Sequence, residues 1–230
     1  MEPDSLPFRP RDRAAYLPGA DALVLADLHL GRGEDSSLEL PITGRVPERV
    51  ADLLDWCAPS TVVLAGDVVH SFAGPSGAVE AAFDAVTDAV GTAGADLVVL
   101  SGNHDGALAS LADAAPSRRL ADGTLVCHGH ERPETMADRY VIGHDHPAVA
   151  IEGQRRPCYL FAEGGYRGAD VLVLPAFTPL ATGTLVNDIE RYDASSPLLA
   201  DVGSFHPVVR DDAAEETYVF PPLSTSGAHL

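Results

Sequence analysis

Five short stretches of the chain carry side chains that bind metals: Asp27-Leu28-His29, Gly66-Asp67, Gly102-Asn103-His104-Asp105, His128-Gly129-His130 and Gly143-His144-Asp145-His146. Seven residues in them are candidate ligands, namely Asp27, His29, Asp67, Asn103, His128, His144 and His146. They offer imidazole, carboxylate and amide donors. Such a mixed nitrogen and oxygen set suits Mn²⁺, Fe²⁺, Zn²⁺ or Ni²⁺, whereas Mg²⁺ and Ca²⁺ favour all-oxygen sites. The set is too large for one ion and suits two if one carboxylate bridges. Two ions about 3.5–4 Å apart hold a bridging hydroxide and clamp the oxygens of a phosphorus centre during in-line displacement.

Each stretch also has an ordinary reading. Asp-x-His after a strand is a capped turn, and Gly-Asp a tight one. Gly-His-x-His puts two imidazoles on the same side of an extended segment, which also describes a surface pair. Gly-Asn-His-Asp is more specific, because the glycine allows a sharp exit, Asn supplies a neutral oxygen, and His104 and Asp105 can pair. Order and placement favour the metal site, since each group follows an apolar, strand-like run.

Those runs define the elements that must position the ligands. Asp21 to Asp27, Thr61 to Ala65 and Asp96 to Leu100 read as buried strands. Helical spacing of Val46, Val50, Leu53, Leu54 and Cys57 predicts a helix over Val46–Cys57, with Pro47 in its first turn. A second helix is predicted over Ala78–Val90, with Val79, Ala82, Phe83, Val86 and Val90 on one face. This alternation implies parallel strands with helical crossovers, whose reactive edge lies beyond their C-terminal ends.

The second half changes character. Thr124–Cys127, Tyr140–Ile142, Val149–Ile151, Cys158–Ala162 and Val171–Leu174 read as short strands of a second, largely antiparallel sheet packed on the first. Loops are predicted over Leu28–Gly44 and Ser71–Gly77. Residues 1–20 read as an irregular lead-in and residues 176–230 as a surface tail, with short strands near Leu198–Val202 and Thr217–Phe220. The expectation is one domain over 1–230, with a core at about 21–186 and a C-terminal extension over 187–230 packed on it.

Composition sets further bounds. A chain of 230 residues with 46% hydrophobic content is globular and has ample core. No apolar run reaches the roughly 18 residues that would suggest a membrane span. The N-terminus lacks a basic stretch followed by an apolar one, so a cytoplasmic location is expected. Acidic residues number 34 against 15 basic ones, all arginine, for a formal charge of −19. Dispersed acid favours adaptation to molar salt, where charges are screened within about 3 Å, over an acidic partner face. Under such salt a basic groove adds little affinity for a phosphate backbone, so an acidic nucleic-acid enzyme is not excluded. Cys57, Cys127 and Cys158 have no metal-type spacing and read as reduced, mostly buried residues, with a thiolate ligand as the alternative.

As a set, the five stretches resemble the five motif blocks of the calcineurin-like metallophosphoesterases over about residues 21–150. The resemblance implies a four-layer αββα sandwich, an α/β fold of two mixed sheets flanked by helices, with a dinuclear centre at the sheet edge. It implies one ion on Asp27, His29, Asp67 and His146, and another on Asp67, Asn103, His128 and His144, with Asp67 bridging. His104 would protonate the leaving oxygen or stabilise the developing charge, and Asp105 would orient its ring. Asp-Leu-His-Leu-Gly, with Leu174-Pro175-Ala176-Phe177-Thr178-Pro179-Leu180, is similar to small archaeal and bacterial phosphoesterases related to double-strand-break repair nucleases, including those associated with a DNA ligase. Phosphoprotein phosphatases fit less well, because Asp67 is followed by Val68-Val69-His70 and Asn103-His104 by Asp105, not Glu.

The expected function is metal-dependent hydrolysis of a phosphodiester, nuclease-like, with a nucleic acid or nucleotide as substrate. The alternatives are a phosphomonoesterase on a small metabolite and a non-catalytic, metal-bound scaffold. Two divalent ions are expected, Mn²⁺ first, with Zn²⁺, Ni²⁺ or Fe²⁺ as alternatives. A homodimer and DNA-repair partner proteins are further expectations of the resemblance. His70 and His130 either join the site or serve their loops, and Arg32 either binds phosphate or is an ordinary loop residue. Arg118-Arg119 and Arg155-Arg156 are either phosphate contacts or solvated pairs.

Overall fold

The computed structural model describes residues 1–33, 42–70, 74–187, 192 and 194–226. The predicted loops Leu28–Gly44 and Ser71–Gly77 fall partly outside these residues. The first sheet contains β1 (Arg9–Arg11), β2 (Ala14–Leu17), β3 (Ala22–Leu25), β4 (Thr61–Ala65) and β5 (Asp96–Leu100), in that order. Strands β1 to β3 are antiparallel, whereas β3, β4 and β5 are parallel and joined by helices α1 (Ile42–Cys57) and α2 (Gly77–Thr92). Helix α1 begins before the predicted Val46, so Pro47 lies inside it.

Strand residues alternate between two covers. Leu23, Leu25, Val62 and Leu64 face α1 and α2, where they meet Val46, Val50, Leu53, Val79, Phe83 and Val86. Ala22, Val24, Ala26, Val63 and Ala65 face the second sheet. Burial on both sides explains why β3 and β4 read as unbroken apolar runs. Each fully buried Val or Leu contributes about 1.5–3 kcal/mol by leaving water.

The remaining strands are β6 (Ser117–Arg119), β7 (Leu125–Cys127), β8 (Arg139–Ile142), β9 (Pro147–Ile151), β10 (Gln154–Pro157), β11 (Tyr159–Tyr166), β12 (Ala169–Val173), β13 (Thr184–Leu185), β14 (His206–Asp211) and β15 (Glu216–Val219). Seven of them form a mixed sheet in the order β15-β14-β11-β12-β8-β7-β6. Strands β7, β8 and β12 run parallel, and the other pairings are antiparallel. Its inner face sets Val126, Val141, Tyr159, Phe161, Leu172 and Val208 against the first sheet. The Tyr159 hydroxyl crosses between sheets to donate to the Ala14 carbonyl at 2.7 Å. Over the outer face lie Val149 and Val186 of a small sheet region around β10-β9-β13, with Leu198, Phe205 and Leu223 of the helix Leu223–Ser226 (α3). The result is an α/β sandwich of two mixed sheets with flanking helices. Among the described residues no helix is long and apolar enough to cross a membrane.

Three sequence expectations are corrected. Residues 1–20 are not irregular, because β2 pairs with β3 and β1 with β2, which extends the first sheet. The chain after residue 176 is not only a surface tail, because β14 lies between β11 and β15 and Phe205 and Val208 are fully buried. The strand expected near Leu198–Val202 is absent there: turns precede a 3₁₀ turn at Val202–Ser204. That near Thr217–Phe220 is present as β15.

Candidate metal centre

The parallel strands β3, β4, β5, β7 and β8 all end at one edge, and each candidate ligand stretch follows one of these ends or the loop beyond it. Peptide hydrogen bonds hold the β3 and β4 exits together: Asp27 N–H donates to Gly66 O at 3.1 Å, His29 N–H to Asp67 O at 2.9 Å and Leu30 N–H to Val68 O at 2.8 Å. Asp27, His29, Asp67, His144 and His146 all have left-handed backbones, with φ of 57°, 46°, 49°, 70° and 46°. Such conformations cost about 1–3 kcal/mol each and persist where surrounding structure enforces them, often at functional sites. Asp and His tolerate this region better than most residues.

Two groups of ligand atoms converge, each within 4.8 Å: Asp27, His29 and His146 in one, Asp27, Asp67 and His128 in the other. Asp67 also reaches both sides. Its Oδ2 is 3.9 Å from His29 Nε2, and its Oδ1 is 3.5 Å from His128 Nε2. The His128 Nδ1 donates to the Ala65 carbonyl at 3.1 Å, leaving Nε2 toward Asn103 Oδ1 at 3.0 Å. Asn103 is exposed, and the His144 ring sits 5.0 Å from that of His128. Thus all seven candidates gather at one place.

The donors fit divalent cations. Asp27 Oδ1, both ring nitrogens of His29 and His146 Nε2 are buried without hydrogen-bond partners. Although His146 Nε2 stands 3.0 Å from Asp27 Oδ1, the approach lacks hydrogen-bond alignment. Buried polar atoms that face one another without satisfying one another are costly unless a further group satisfies them. A cation shared between them would do so.

Electrostatics keep His29, His144 and Asp27 available as donors. Burial pulls His29 down to about 4, against the raising charges of Asp27 and Asp67. His144 also falls to about 4, through burial and then the neighbouring His128. Both rings are therefore neutral at physiological pH, as metal coordination requires. Burial pushes Asp27 up, but contact with His146 and the charges of His146, His128 and His29 outweigh it and hold the carboxyl low. Burial works against the charged form of His146 too, yet Asp27 raises its pKa overall.

Other residues brace the ligands. Asp105 accepts from Val69 N–H at 3.0 Å through Oδ1 and from Gly102 N–H at 2.7 Å through Oδ2. This ties two ligand loops together. The His104 N–H donates to Asp67 Oδ1 at 2.9 Å, and its ring lies 6.1 Å from that of His29. Asp145, which the sequence reading passed over, accepts from Ser195 and Ser196 N–H at 2.7 and 3.1 Å, anchoring the C-terminal segment to the His144–His146 turn. Its place between two ligand-type histidines was the available signal.

The Leu174–Leu180 motif also acquires a structural role. Phe177 N–H donates to Ala26 O at 2.9 Å and Thr178 N–H to Asp27 O at 3.2 Å. His70 packs edge-on to His29 at 5.4 Å between centroids, and His130 lies 5.3 Å from His128. Arg32 adds to burial in holding down His29 and His70. Cys57 and Cys127 are pushed up to about 11 by burial, and Cys158 higher still, and none of the three joins a ligand group among the described residues.

The model of the calcineurin-like phosphoesterase family matches residues 21–183, and the chain belongs to that family, whose members typically bind divalent metals. Among solved structures, the nuclease MPE of Pseudomonas putida is similar in fold, with a TM-score of 0.65, 21% identity, and coverage of 91% of this chain and 92% of that one. YfcE, a phosphoesterase from E. coli, aligns with a TM-score of 0.44 and 17% identity over 85% of this chain and 95% of that one. No curated protein sequence matches the chain.

Proposed function

We propose that the chain is a dinuclear-metal phosphodiesterase, nuclease-like, acting on a nucleic acid or nucleotide. The observation that carries this reading is the pair of ligand groups sharing Asp27, with Asp67 directing one oxygen to each side. The family assignment supports phosphoester chemistry, and the fold shared with a nuclease over nearly the whole chain supports the diester as substrate.

In this reading Asp27, His29, Asp67 and His146 hold one ion and Asp67, Asn103, His128 and His144 the other. Bound divalent ions would supply an activated water and neutralise charge on the phosphoryl oxygens. His104 lies beside this centre and protonates the leaving oxygen. Its backbone N–H bond to Asp67 sets its position relative to the ligands. Asp105 and Asp145 keep the ligand loops in register. The mixed donor set favours Mn²⁺ over Mg²⁺.

The test compares a chromogenic phosphodiester with the matching monoester, using metal-stripped protein with Mn²⁺, Zn²⁺, Ni²⁺ or Mg²⁺ restored singly. It is run at low salt and at about 2 M KCl, where charge screening is nearly complete. Diester cleavage with Mn²⁺ is expected. Cleavage of the monoester alone would replace this reading with a metabolite phosphatase. Two bound ions without any turnover would leave a metal-bound scaffold.

A further inference from the structure

A cavity of about 240 Å³ opens on the β9 side of the site, and His146 is part of its wall. Arg13 and Arg155 line it, with Thr182 and the rigid rings of Pro175 and Pro179. Among the described residues its lining contains no carboxylate, in a chain with 34 acidic residues and 15 arginines.

Both arginines have charge left to offer. Arg13 donates from one nitrogen to the carbonyls of Ala176 at 3.2 Å and Thr178 at 2.8 Å, and Arg155 to those of Thr182 at 3.4 Å and Gly183 at 3.0 Å. Among the described residues neither forms an ion pair. Their neighbours do: Arg49 pairs with Asp12 at 2.7 Å, and Arg156 reaches Asp211 at 4.0 Å. Burial, and then the nearby Arg49, make the charged form of Arg13 less favourable than in water, and the charge of Asp12 offsets this only in part. An anion in the cavity would offset that cost. Peptide carbonyls orient both guanidinium groups without neutralising them, and guanidinium matches phosphate with parallel, charge-assisted hydrogen bonds.

We propose that this cavity is a second phosphate subsite, which binds the phosphate flanking the scissile one in a nucleic-acid strand. The proposal rests on the phosphodiesterase reading for the identity of the ligand. It explains how a chain of net charge −19 holds a polyanion: the attraction is local to one arginine-lined wall beside the metal centre. It also separates Arg155 from its sequence neighbour, whose charge is matched.

The test is equilibrium binding of thymidine 3′,5′-bisphosphate and thymidine 5′-monophosphate to the Mn²⁺-loaded protein at low salt. The bisphosphate should bind about tenfold more tightly, the scale of one charge-assisted contact. Arg155→Gln, an exposed position, should bring that ratio close to one, and Arg13→Lys should lower it while keeping the charge. Equal affinities in the unaltered protein would overturn the subsite, as would a ratio that survives both substitutions. Parallel weakening of both ligands in Arg155→Gln would also overturn it, since that is the mark of a structural residue. The readout is binding and not turnover. A protein that cleaves no diester can still show the ratio, and one that cleaves diesters can still lack it, so the two readings fail separately.

Discussion

The backbone N–H of His144 donates to Asp27 Oδ2 at 3.0 Å, so one candidate ligand orients another across 117 residues of sequence. The contact requires close approach of two strand exits. A β-carbon at Gly143 would stand 2.5 Å from Asp27 Oδ2 and 2.6 Å from the Ala26 side chain, neither of which can withdraw into solvent. Gly143→Ala should therefore cost about 1–3 kcal/mol of stability and lower metal content. Gly106→Ala meets nothing within 4 Å and serves as the control. Full metal occupancy in Gly143→Ala, measured by elemental analysis, would contradict this account of the glycine.

Asp67 should be the least replaceable ligand, because His29 and His128 approach its two oxygens separately. Asp67→Asn keeps the shape and removes the charge. Metal affinity should fall by more than about a hundredfold, beyond the usual effect of losing a supporting contact. Hydrolysis should disappear with it. Retention of two ions per chain in this variant would remove Asp67 from the bridging position.

His104 and Asp105, adjacent in sequence, should fail in different ways. His104→Ala should lower kcat by about 10²–10⁴, the usual contribution of a general acid, while metal content stays near that of the parent. Asp105→Asn cannot accept from both Val69 and Gly102, and stranding one such N–H costs about 1–3 kcal/mol. Thermal unfolding should register Asp105→Asn strongly and His104→Ala weakly. The reverse order would refute the loop-tying role.

Arg49 should matter to the site without lining it. It forms two hydrogen bonds with the Asp12 carboxylate, at 2.7 and 2.8 Å, donates to Phe177 O at 2.9 Å, and stacks 3.7 Å over the Phe177 ring. Phe177 and Thr178 in turn hold the peptide groups of Ala26 and Asp27. Arg49→Ala should destabilise the fold by about 1–3 kcal/mol, discounted toward the lower end because the pair is partly solvated. Amide exchange at Phe177 and Thr178 should quicken, and unchanged protection there would disconnect the arginine from the ligand loop.

Metal removal should lower the melting temperature. An ion at about 100 times its Kd adds roughly 2.7 kcal/mol to the folded state. Chelation should abolish that increment and Mn²⁺ should restore it. Raising KCl to about 2 M should further stabilise the metal-free form if self-repulsion of the −19 charge is the opposing force. Calorimetry with and without chelator separates the two effects, and a melting temperature indifferent to chelation would mean that the donor cluster binds no ion.

Local sequence determined much of this. Unbroken apolar runs placed β3, β4 and β5, and helical spacing placed the bodies of α1 and α2, because those elements are buried in patterns that composition alone records. The ligand types stood at the ends of these runs, so the candidate donors of the centre were legible before any packing. Tertiary structure decided what depends on distant partners. Strand β2 exists by pairing with β3 and β1 by pairing with β2, and β14 by pairing with β11 and β15; short segments rich in Pro, Arg or Asp have no such pattern of their own. It also decided that Asp105 ties loops, that Asp145 anchors residues 195–196, and that Arg155 lines a cavity with Arg13 while Arg156 faces Asp211. A residue's type limits which bonds it can make, but only the packing of remote segments selects which partner is within reach.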